Sequence, residues 1–443
     1  MKNRVPAAAW LILLVALLLR VGYVVATPDY VMVHDARAYD NIARSVAAGD
    51  GWGYARTEGR ETAFRPPAYC LVLAGAYYVA GVAEASEEDR VVVARILGIV
   101  ISTLIVAMIG VIAAQLWGRR VALLAMAGGA VYIPLILVGA AVMSEPLFAL
   151  LLLGALAAGL QHRRSTHGWR WVLLCGFLAG LTILTRANAL VLLLPLCLAV
   201  WTVRPRWSVK ALVVPAVLVV VALMTVSPWT IRNAIVFDRF IPVSTQLGSA
   251  LAGTYNDQAR LDKENPASWR AIRHLPDYRE FYSRLQQTPE PEAEDYLNKR
   301  AKEYIREHPG YVATVAWWTS RRMLDLGGLD WSRHTASTIS VGPRWANAGV
   351  FCFWIFAVLA LLGAFTKQAR RTPFFVWLIP LLLYLSVVFL VVETPRYRTG
   401  IDPFVVMLAA LALRRALQAV EDRARPRPDP ARYPTSPKAP TPA

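Results

Sequence analysis

Long apolar stretches recur along the chain, and each is separated from the next by a more polar segment. A helix that crosses a bilayer needs about 20 consecutive apolar residues. Ten stretches approach or reach that length: 7–26, 91–115, 121–140, 145–161, 171–185, 188–203, 210–230, 346–366, 373–392 and 400–419. The pattern therefore predicts an all-α polytopic membrane protein with about ten transmembrane helices. The first stretch is longer than the apolar core of a typical signal peptide, which indicates a retained signal anchor.

Two further apolar segments, 66–83 and 311–327, are ambiguous, and the charges of the loops decide how to interpret them. With ten spans and a cytoplasmic N-terminus, all the cytoplasmic segments are basic: 117–120, 161–170, 204–210, 366–371 and the tail from Arg414. This agrees with the positive-inside rule. Counting 66–83 as a span would place two of these basic loops outside. We therefore predict outer juxtamembrane or re-entrant helices at both segments, with both termini in the cytoplasm.

The same topology divides the chain into four parts. Residues 1–230 form a membrane domain whose outer loop, 27–65, carries a dense group of charged residues. Residues 231–345 have the polarity of a small extracytoplasmic subdomain, and 346–420 supply the C-terminal membrane helices. The Pro-rich residues 421–443 are predicted to be a disordered cytoplasmic tail.

The composition excludes several other classes of protein. Hydrophobic residues make up 56% of the chain and charged residues only 17%, whereas soluble domains are about a quarter charged. A net charge of +17 would suit a nucleic-acid binder, but the Lys and Arg residues lie mostly in short loops and in the tail. Cys70, Cys175, Cys197 and Cys352 lie within apolar stretches without paired spacing, which indicates small core residues.

Charged residues nonetheless collect at the predicted outer ends of the spans. The arginines there are Arg20, Arg65, Arg186, Arg232, Arg396 and Arg398, and the carboxylates are Asp35, Asp40, Glu61 and Glu145. Each has an ordinary structural alternative, because Asp35 and Glu145 are suitable helix caps and a terminal arginine can extend to the membrane interface. Outer loops are usually poor in arginine, so the whole set favours a bound phosphate with a carboxylate base beside it.

Six short motifs, in order along the chain, carry a family resemblance: HDARAYDNIA (34–43), FRPPAY (64–69), SEPLF (144–148), LTRANAL (184–190), PWTIRNAIVFDRFIPVST (228–245) and RYRTGIDP (396–403). Together they resemble the integral-membrane GT-C glycosyltransferases, specifically the dolichyl-phosphate-mannose protein mannosyltransferase and aminoarabinose lipid A transferase group. The resemblance covers most of the chain. It implies a GT-C type fold with outer juxtamembrane helices and a small outer subdomain.

The resemblance also implies roles for individual residues. Asp35 stands at the position of the catalytic aspartate, and Arg65 at that of a basic residue that contacts the donor phosphate. Many relatives have Asp-Glu where this chain has Asp35 and Ala36, so the second carboxylate stays open among Glu145, Asp40 and Glu61. We expect the other phosphate-binding residues to be Arg186, Arg396 and Arg398. Further candidates are His34, Tyr39, Arg20, Arg232 and Tyr397.

Enzymes of this family move a sugar from a polyprenyl-phosphate carrier to an acceptor on the extracytoplasmic side. The implied reaction is an inverting transfer of a monosaccharide to a protein, lipid or glycan, with Asp35 taking the proton of the acceptor. Its partners would be the lipid-linked donor, the acceptor and membrane lipids, without nucleic acid. We expect no cofactor and no bound metal, although a divalent ion stays open.

Two other functions share this topology. A lipid-linked glycan flippase or ligase would also need the arginines, although not a base at Asp35. Another membrane transporter is disfavoured, because its charges would lie near the bilayer midplane rather than at the ends of the spans.

Overall fold

The computed structural model describes residues 6–53, 61–165, 168–203, 208–284, 288–390 and 394–424, and all regular elements within these ranges are helical. The α-helices are α1 Ala7–Val25, α2 His34–Ala48, α3 Pro67–Ala80, α4 Glu87–Trp117, α5 Arg119–Val131, α6 Ile133–Ala140, α7 Glu145–His162, α8 Trp169–Thr185, α9 Leu193–Val200, α10 Val209–Phe237, α11 Leu247–Thr254, α12 Asp257–Leu261, α13 Arg279–Arg284, α14 Glu290–Glu307, α15 Pro309–Met323, α16 Leu329–Ser337, α17 Pro343–Ala364, α18 Lys367–Arg371, α19 Phe374–Val388 and α20 Asp402–Ala424. Short 3₁₀ helices cover Ala187–Leu192, Ile272–His274, Pro276–Tyr278 and Pro395–Gly400. Most of the predicted disordered tail, from residue 425 onward, lies outside the described residues.

The described residues confirm an all-α, multi-pass membrane protein. By length and composition, six helices can cross a membrane, namely α1, α4, α7, α10, α17 and α20, and the bent pair α5 and α6 makes a seventh. Three other predicted spans correspond to shorter apolar helices, at Trp169–Thr185, Ala187–Val200 and Phe374–Val388. The count of ten therefore stays a prediction. The segment 188–203 also differs from a simple span, because it begins as a 3₁₀ helix before α9.

A sharp bend divides the predicted span 121–140. Its two halves, α5 and α6, meet at 55° around Tyr132. Pro134 has no backbone N–H, so the carbonyl of Ala130 lacks its usual helical donor. The guanidinium of Arg20 donates to that carbonyl and to the carbonyl of Gly129, at 3.4 Å each, and its Nε donates to Ser102 Oγ at 2.8 Å.

Arg20 is therefore a structural residue of the membrane domain. Only 1% of it is exposed, so it does not extend to the interface. It is removed from the set of candidate site residues.

The two ambiguous segments both form helices, and their position on the outer side of the membrane stays a prediction. Segment 66–83 contains the 14-residue helix α3, which is short for a full span, and 311–327 contains α15. Between α10 and α17, helices α11, α14 and α15 contribute to a separate apolar cluster that includes Leu251, Leu297 and Val315. The assignment of 231–345 as an extracytoplasmic subdomain stays a prediction.

One end of the bundle brings together several helix termini. Helix α7 begins there at Glu145, α8 ends there just before Arg186, and the 3₁₀ helix Pro395–Gly400 joins α19 to α20 beside them. The first turn of α2 packs against the same end. The fold thus collects charged residues from distant parts of the sequence at one place.

Candidate active site

Asp35 lies in the first turn of α2 and does not cap it. The N-cap residue is Val33, which makes no side-chain cap bond, and His34 begins the helix with φ at +47°. The side chain of His34 is exposed, whereas that of Asp35 points into the protein toward two arginines. The helix-cap interpretation of Asp35 is therefore wrong.

Asp35 lies between Arg65 and Arg396. Arg65 Nη2 donates to Asp35 Oδ1 at 2.5 Å, and Arg396 Nη2 donates to Asp35 Oδ2 at 2.5 Å. Burial by itself would raise the pKa of this carboxyl, but the two guanidiniums outweigh burial and hold its pKa well below the ordinary value. Asp35 is thus ionised, and both of its oxygens are occupied.

Glu145 joins the same network from the start of α7. Its Oε1 lies 2.9 Å from Arg186 Nη1 and 3.6 Å from Arg396 Nε, and its side chain is 4% exposed. Arg396 therefore bridges the two carboxylates, Asp35 and Glu145. Of the three candidates for the second carboxylate, Glu145 is the one that the structure brings next to Asp35.

Two tyrosines support the guanidiniums with their ring faces. Arg65 Cζ lies 4.9 Å from the ring centre of Tyr39, and Arg186 Cζ lies 4.6 Å from that of Tyr397. Such cation–π contacts fix the planes of the guanidiniums without using their N–H donors. Tyr39 and Tyr397, both candidates from the sequence, are therefore part of the site.

An apolar cavity of about 70 Å³ borders this network. Helices α6, α16 and α17 supply half of its lining residues, among them Leu137, Ala336 and Val350. Arg396 and Arg398 form part of its polar side. Arg396 therefore contacts both a carboxylate pair and an apolar space.

Asp40 belongs to a different cluster. Its Oδ1 accepts from Arg90 Nε and from the Tyr77 hydroxyl, both at 2.9 Å, and its Oδ2 accepts from Arg90 Nη2 at 3.2 Å. These bonds join α2 to α3 and α4. Asp40 is thus a structural anchor, which removes it from the candidates for the second carboxylate.

Glu61 and Arg232 pair with each other away from Asp35. Arg232 also donates to the backbone carbonyl of Thr62 at 2.9 Å, and the Glu61 side chain is 45% exposed. The pair holds the segment that leads to Arg65. Neither residue contacts the network around Asp35, so we remove both from the reacting groups.

Arg398 is also displaced from its predicted role. It pairs with Asp402 at 2.9 Å and Asp325 at 3.0 Å, and its side chain is 4% exposed. These two buried acids match its charge within the protein, so we remove Arg398 from the predicted phosphate-binding set. Arg65, Arg186 and Arg396 remain.

Ser144 and Met143 also contact this network and were not among the predicted residues. Ser144 Oγ accepts from the Tyr39 hydroxyl at 3.0 Å and lies 3.5 Å from Arg186 Nη1, and Met143 Sδ lies 3.0 Å from Arg396 Nη1. Ser144 stands directly before Glu145 in the motif SEPLF, a neighbourhood that could have indicated it. Met143 gives no such signal. Within the described ranges, no three His, Cys, Asp or Glu side chains form a group suited to a metal, and the need for a metal stays open.

Comparison with known proteins bears on the fold and on the family resemblance. Residues 65–231 match the dolichyl-phosphate-mannose-protein mannosyltransferase family. The oligosaccharyltransferase AglB from Archaeoglobus fulgidus, in complex with an inhibitory peptide and a dolichol-phosphate, resembles 95% of this chain with a TM-score of 0.55 and 14% identity. The predicted resemblance to GT-C glycosyltransferases is confirmed. At this identity the likeness to AglB shows the GT-C fold alone.

Other similar structures are consistent with that fold. AglB tethered to an acceptor peptide containing the NVT sequon matches 94% of this chain at 13% identity, with a TM-score of 0.55. The chain spans about half of AglB, 52% and 50% in these two structures. ArnT from Cupriavidus metallidurans bound to undecaprenyl phosphate covers 94% of this chain and 80% of its own at 15% identity, but its TM-score of 0.44 is too low for a structural argument. A comparison with curated proteins found no match.

Proposed function

We propose that this GT-C protein transfers a monosaccharide from a polyprenyl-phosphate carrier to an extracytoplasmic acceptor, with inversion at the anomeric carbon. The observation that carries the proposal is the placement of Asp35 between Arg65 and Arg396. A carboxylate is the base that the transfer needs, and arginines are the side chains best suited to a phosphate.

Charge balance supports this assignment. The three guanidiniums of Arg65, Arg186 and Arg396 and the two carboxylates of Asp35 and Glu145 leave one net positive charge. A lipid-linked sugar phosphodiester carries one negative charge, so a bound donor would neutralise the network. Opposite charges of this kind are strongly favoured where water is scarce.

The reaction would keep that balance. The acceptor oxygen attacks the anomeric carbon, and the bond from that carbon to the phosphate oxygen breaks with its electron pair on the phosphate. The acceptor proton passes to Asp35. The phosphate gains one negative charge as Asp35 loses one, so the arginines face the same total charge before and after transfer.

Donor binding would also activate the base. With both arginines on it, Asp35 has a depressed pKa and is a weak base. A donor phosphate bound to Arg65 and Arg396 would draw their positive charge away from Asp35 and place a negative charge beside it. The pKa of Asp35 then rises toward its ordinary value, and the carboxylate becomes able to accept a proton when the donor is present.

The apolar cavity beside Arg396 suits the lipid part of such a donor. A polyprenyl chain costs about 0.8 kcal/mol for each CH₂ group moved into water, so a site for this substrate must stay in contact with the membrane. The network lies where spans α7 and α20 begin. We assign this end to the extracytoplasmic side because the loops at the opposite end are basic.

Transfer from a panel of labelled polyprenyl-phosphate monosaccharides tests the proposal. The purified protein is reconstituted in lipid vesicles, and a membrane extract supplies acceptors. We expect labelled product from at least one donor, with the anomeric configuration inverted. Retained configuration would contradict the direct displacement.

The same vesicles distinguish a glycosyltransferase from the rival function, a lipid-linked glycan flippase. A lipid-linked glycan flippase would move a labelled lipid-linked sugar between the two leaflets without breaking its bond to phosphate. Translocation without transfer would therefore overturn the glycosyltransferase assignment and favour the flippase.

A further inference from the structure

The segment that carries Arg65 is held by a carboxylate from a distant helix. Glu290 begins α14, and three groups donate to it. Thr62 Oγ1 donates to its Oε2 at 2.6 Å, while the backbone N–H of Ala63 and the hydroxyl of Thr245 donate to its Oε1 at 2.8 and 2.5 Å. One side chain thus joins α14, the 62–63 backbone and the loop before α11.

Other bonds complete the support of this segment. Arg232 Nη1 donates to the carbonyl of Thr62 at 2.9 Å, and the N–H of Thr245 donates to the carbonyl of Ala63 at 3.2 Å. The N–H of Phe64 donates to Thr62 Oγ1 at 2.9 Å, which itself is bonded to Glu290. The backbone is therefore fixed up to the residue before Arg65.

Arg65 has little freedom on its other side. Pro66 and Pro67 follow it, and proline restricts both its own φ and the conformation of the residue before it. Helix α3 begins at Pro67. The backbone of Arg65 is thus set between a rigid helix start and the segment that Glu290 holds.

We infer that Glu290 is a positioning residue, which fixes the 62–64 backbone through its three hydrogen bonds and thereby aims Arg65 at Asp35 and at the donor phosphate. Glu290 makes its bonds to Thr62, Ala63 and Thr245, not to Asp35 or to the arginines of the site. Its effect would therefore pass through the backbone. The role toward the donor rests on the proposed function, whereas the role toward Asp35 does not.

Small displacements matter at this site. Arg65 donates to Asp35 across 2.5 Å, and the strength of such a contact falls quickly with distance and angle. Helix α14 lies in the region between α10 and α17, so this link connects that region to the charged network. Through the 62–64 backbone, the same link would let α14 influence the reacting groups.

The amide hydrogen-exchange rates of residues 62–65 measure how firmly this segment is held. The measurement needs no substrate. A peptide covering residues 61–67 reports only on the amides of 62–65, since Pro66 and Pro67 have none. In Glu290→Ala we expect these amides to exchange about tenfold faster. Glu292→Ala, on the same turn but exposed, is the matched control and should exchange like wild type.

Glu290→Gln tests whether the hydrogen bonds of this side chain, rather than its size, protect residues 62–65 from exchange. The amide oxygen of Glu290→Gln can still accept from Ala63 and Thr245, so this variant should restore most of the protection. Thr245→Val removes one hydrogen-bond donor to Glu290 and keeps the shape of the side chain. It should speed amide exchange less than Glu290→Ala does. It replaces Glu290→Ala in the test if that variant fails to fold. Exchange at wild-type rates in both Glu290→Ala and Thr245→Val would overturn the inference.

A double-mutant cycle tests the link to Asp35. If Glu290 aims Arg65, the losses of Tm in Asp35→Asn and Glu290→Ala should be non-additive, and the double variant should lose less than their sum. The pair Asp35→Asn and Glu292→Ala should be additive. Additive losses in the first pair would mean that Glu290 holds the segment without positioning Arg65.

Binding of a polyprenyl monophosphate completes the test. Glu290→Ala should weaken it several-fold and Glu292→Ala should not. Faster exchange with unchanged binding would overturn the role toward the donor. If wild type itself binds no polyprenyl monophosphate, the proposed function fails, while the exchange and the cycle still decide whether Glu290 positions Arg65.

Discussion

Asp35 and Asp40 lie on one helix, α2, in different surroundings. The side chain of Asp40 is 4% exposed and is bonded to Arg90 and Tyr77. The side chain of Asp35 is 27% exposed and is held by Arg65, just before α3, and by Arg396, in the 3₁₀ helix Pro395–Gly400. Both carboxylates are paired with arginine, so pairing by itself does not indicate function.

The two clusters differ in whether a ligand can contact their arginines. Arg90 has its charge matched inside the protein by Asp40, and a ligand would have to break a buried pair to contact it. Arg396 is shared between two carboxylates and borders an apolar cavity, so a phosphate can take over its donors. A charged cluster that is net positive and partly exposed is suited to bind a ligand, whereas a balanced and buried one is suited to hold helices together.

The largest effect should come from removing each carboxylate in turn. Asp35→Asn should lower the transfer rate by about 10²–10⁴, the usual contribution of a general base. Asp40→Asn should instead lower stability by about 3–5 kcal/mol, because it leaves Arg90 buried without its charge partner. The measurements are transfer per folded molecule and the Tm of both variants. The reverse pattern, with transfer lost in Asp40→Asn and kept in Asp35→Asn, would contradict the comparison.

A smaller effect should follow from removing one arginine of the site. Arg65→Ala and Arg396→Ala should each weaken polyprenyl-phosphate binding by about 10- to 100-fold, since a hydrogen bond to a charged group is lost. Arg37→Ala provides the control, because Arg37 is exposed on helix α2. Equal losses in all three variants would indicate a general effect of positive charge rather than a phosphate site.

The smallest effect should come from the hydroxyl that supports Asp40. Tyr77→Phe removes one hydrogen bond to this carboxylate and should cost about 0.5–1.5 kcal/mol of stability, without slowing transfer. Tyr78→Phe is a close control, because Tyr78 is 75% exposed. Slower transfer by Tyr77→Phe at unchanged stability would show that the Asp40 cluster contributes to the chemistry.

Much of the fold could be predicted because its signals are local. Apolar stretches and basic loops identified the helices, and Pro134 accounts for the bend between α5 and α6. The count of spans was harder to predict, because the helices at Trp169–Thr185, Ala187–Val200 and Phe374–Val388 are shorter than a bilayer requires. Length alone does not show how such helices lie in a membrane.

The candidate site could be predicted only in part. Asp35 and Arg65 were found because short motifs surround them, and the structure pairs them. Asp40, Glu61 and Arg398 lie apart from the site because each pairs with other residues. Most of these partners are distant in the sequence. Arg90 lies 50 residues from Asp40, and Arg396 lies 361 residues from Asp35. No local pattern reveals which arginine each carboxylate will meet.

The pH dependence of transfer tests most directly whether donor phosphate frees Asp35 to act as a base. The acid limb of kcat/KM reports the free enzyme, and that of kcat reports the donor complex. Since Asp35 must be ionised to accept a proton, its depressed pKa in the free enzyme should keep kcat/KM level to below pH about 4. Release from the arginines raises this pKa in the complex, so kcat should begin to fall at a higher pH than kcat/KM. Acid limbs that coincide would contradict the account, because they would mean that the donor leaves Asp35 and its arginines as they are.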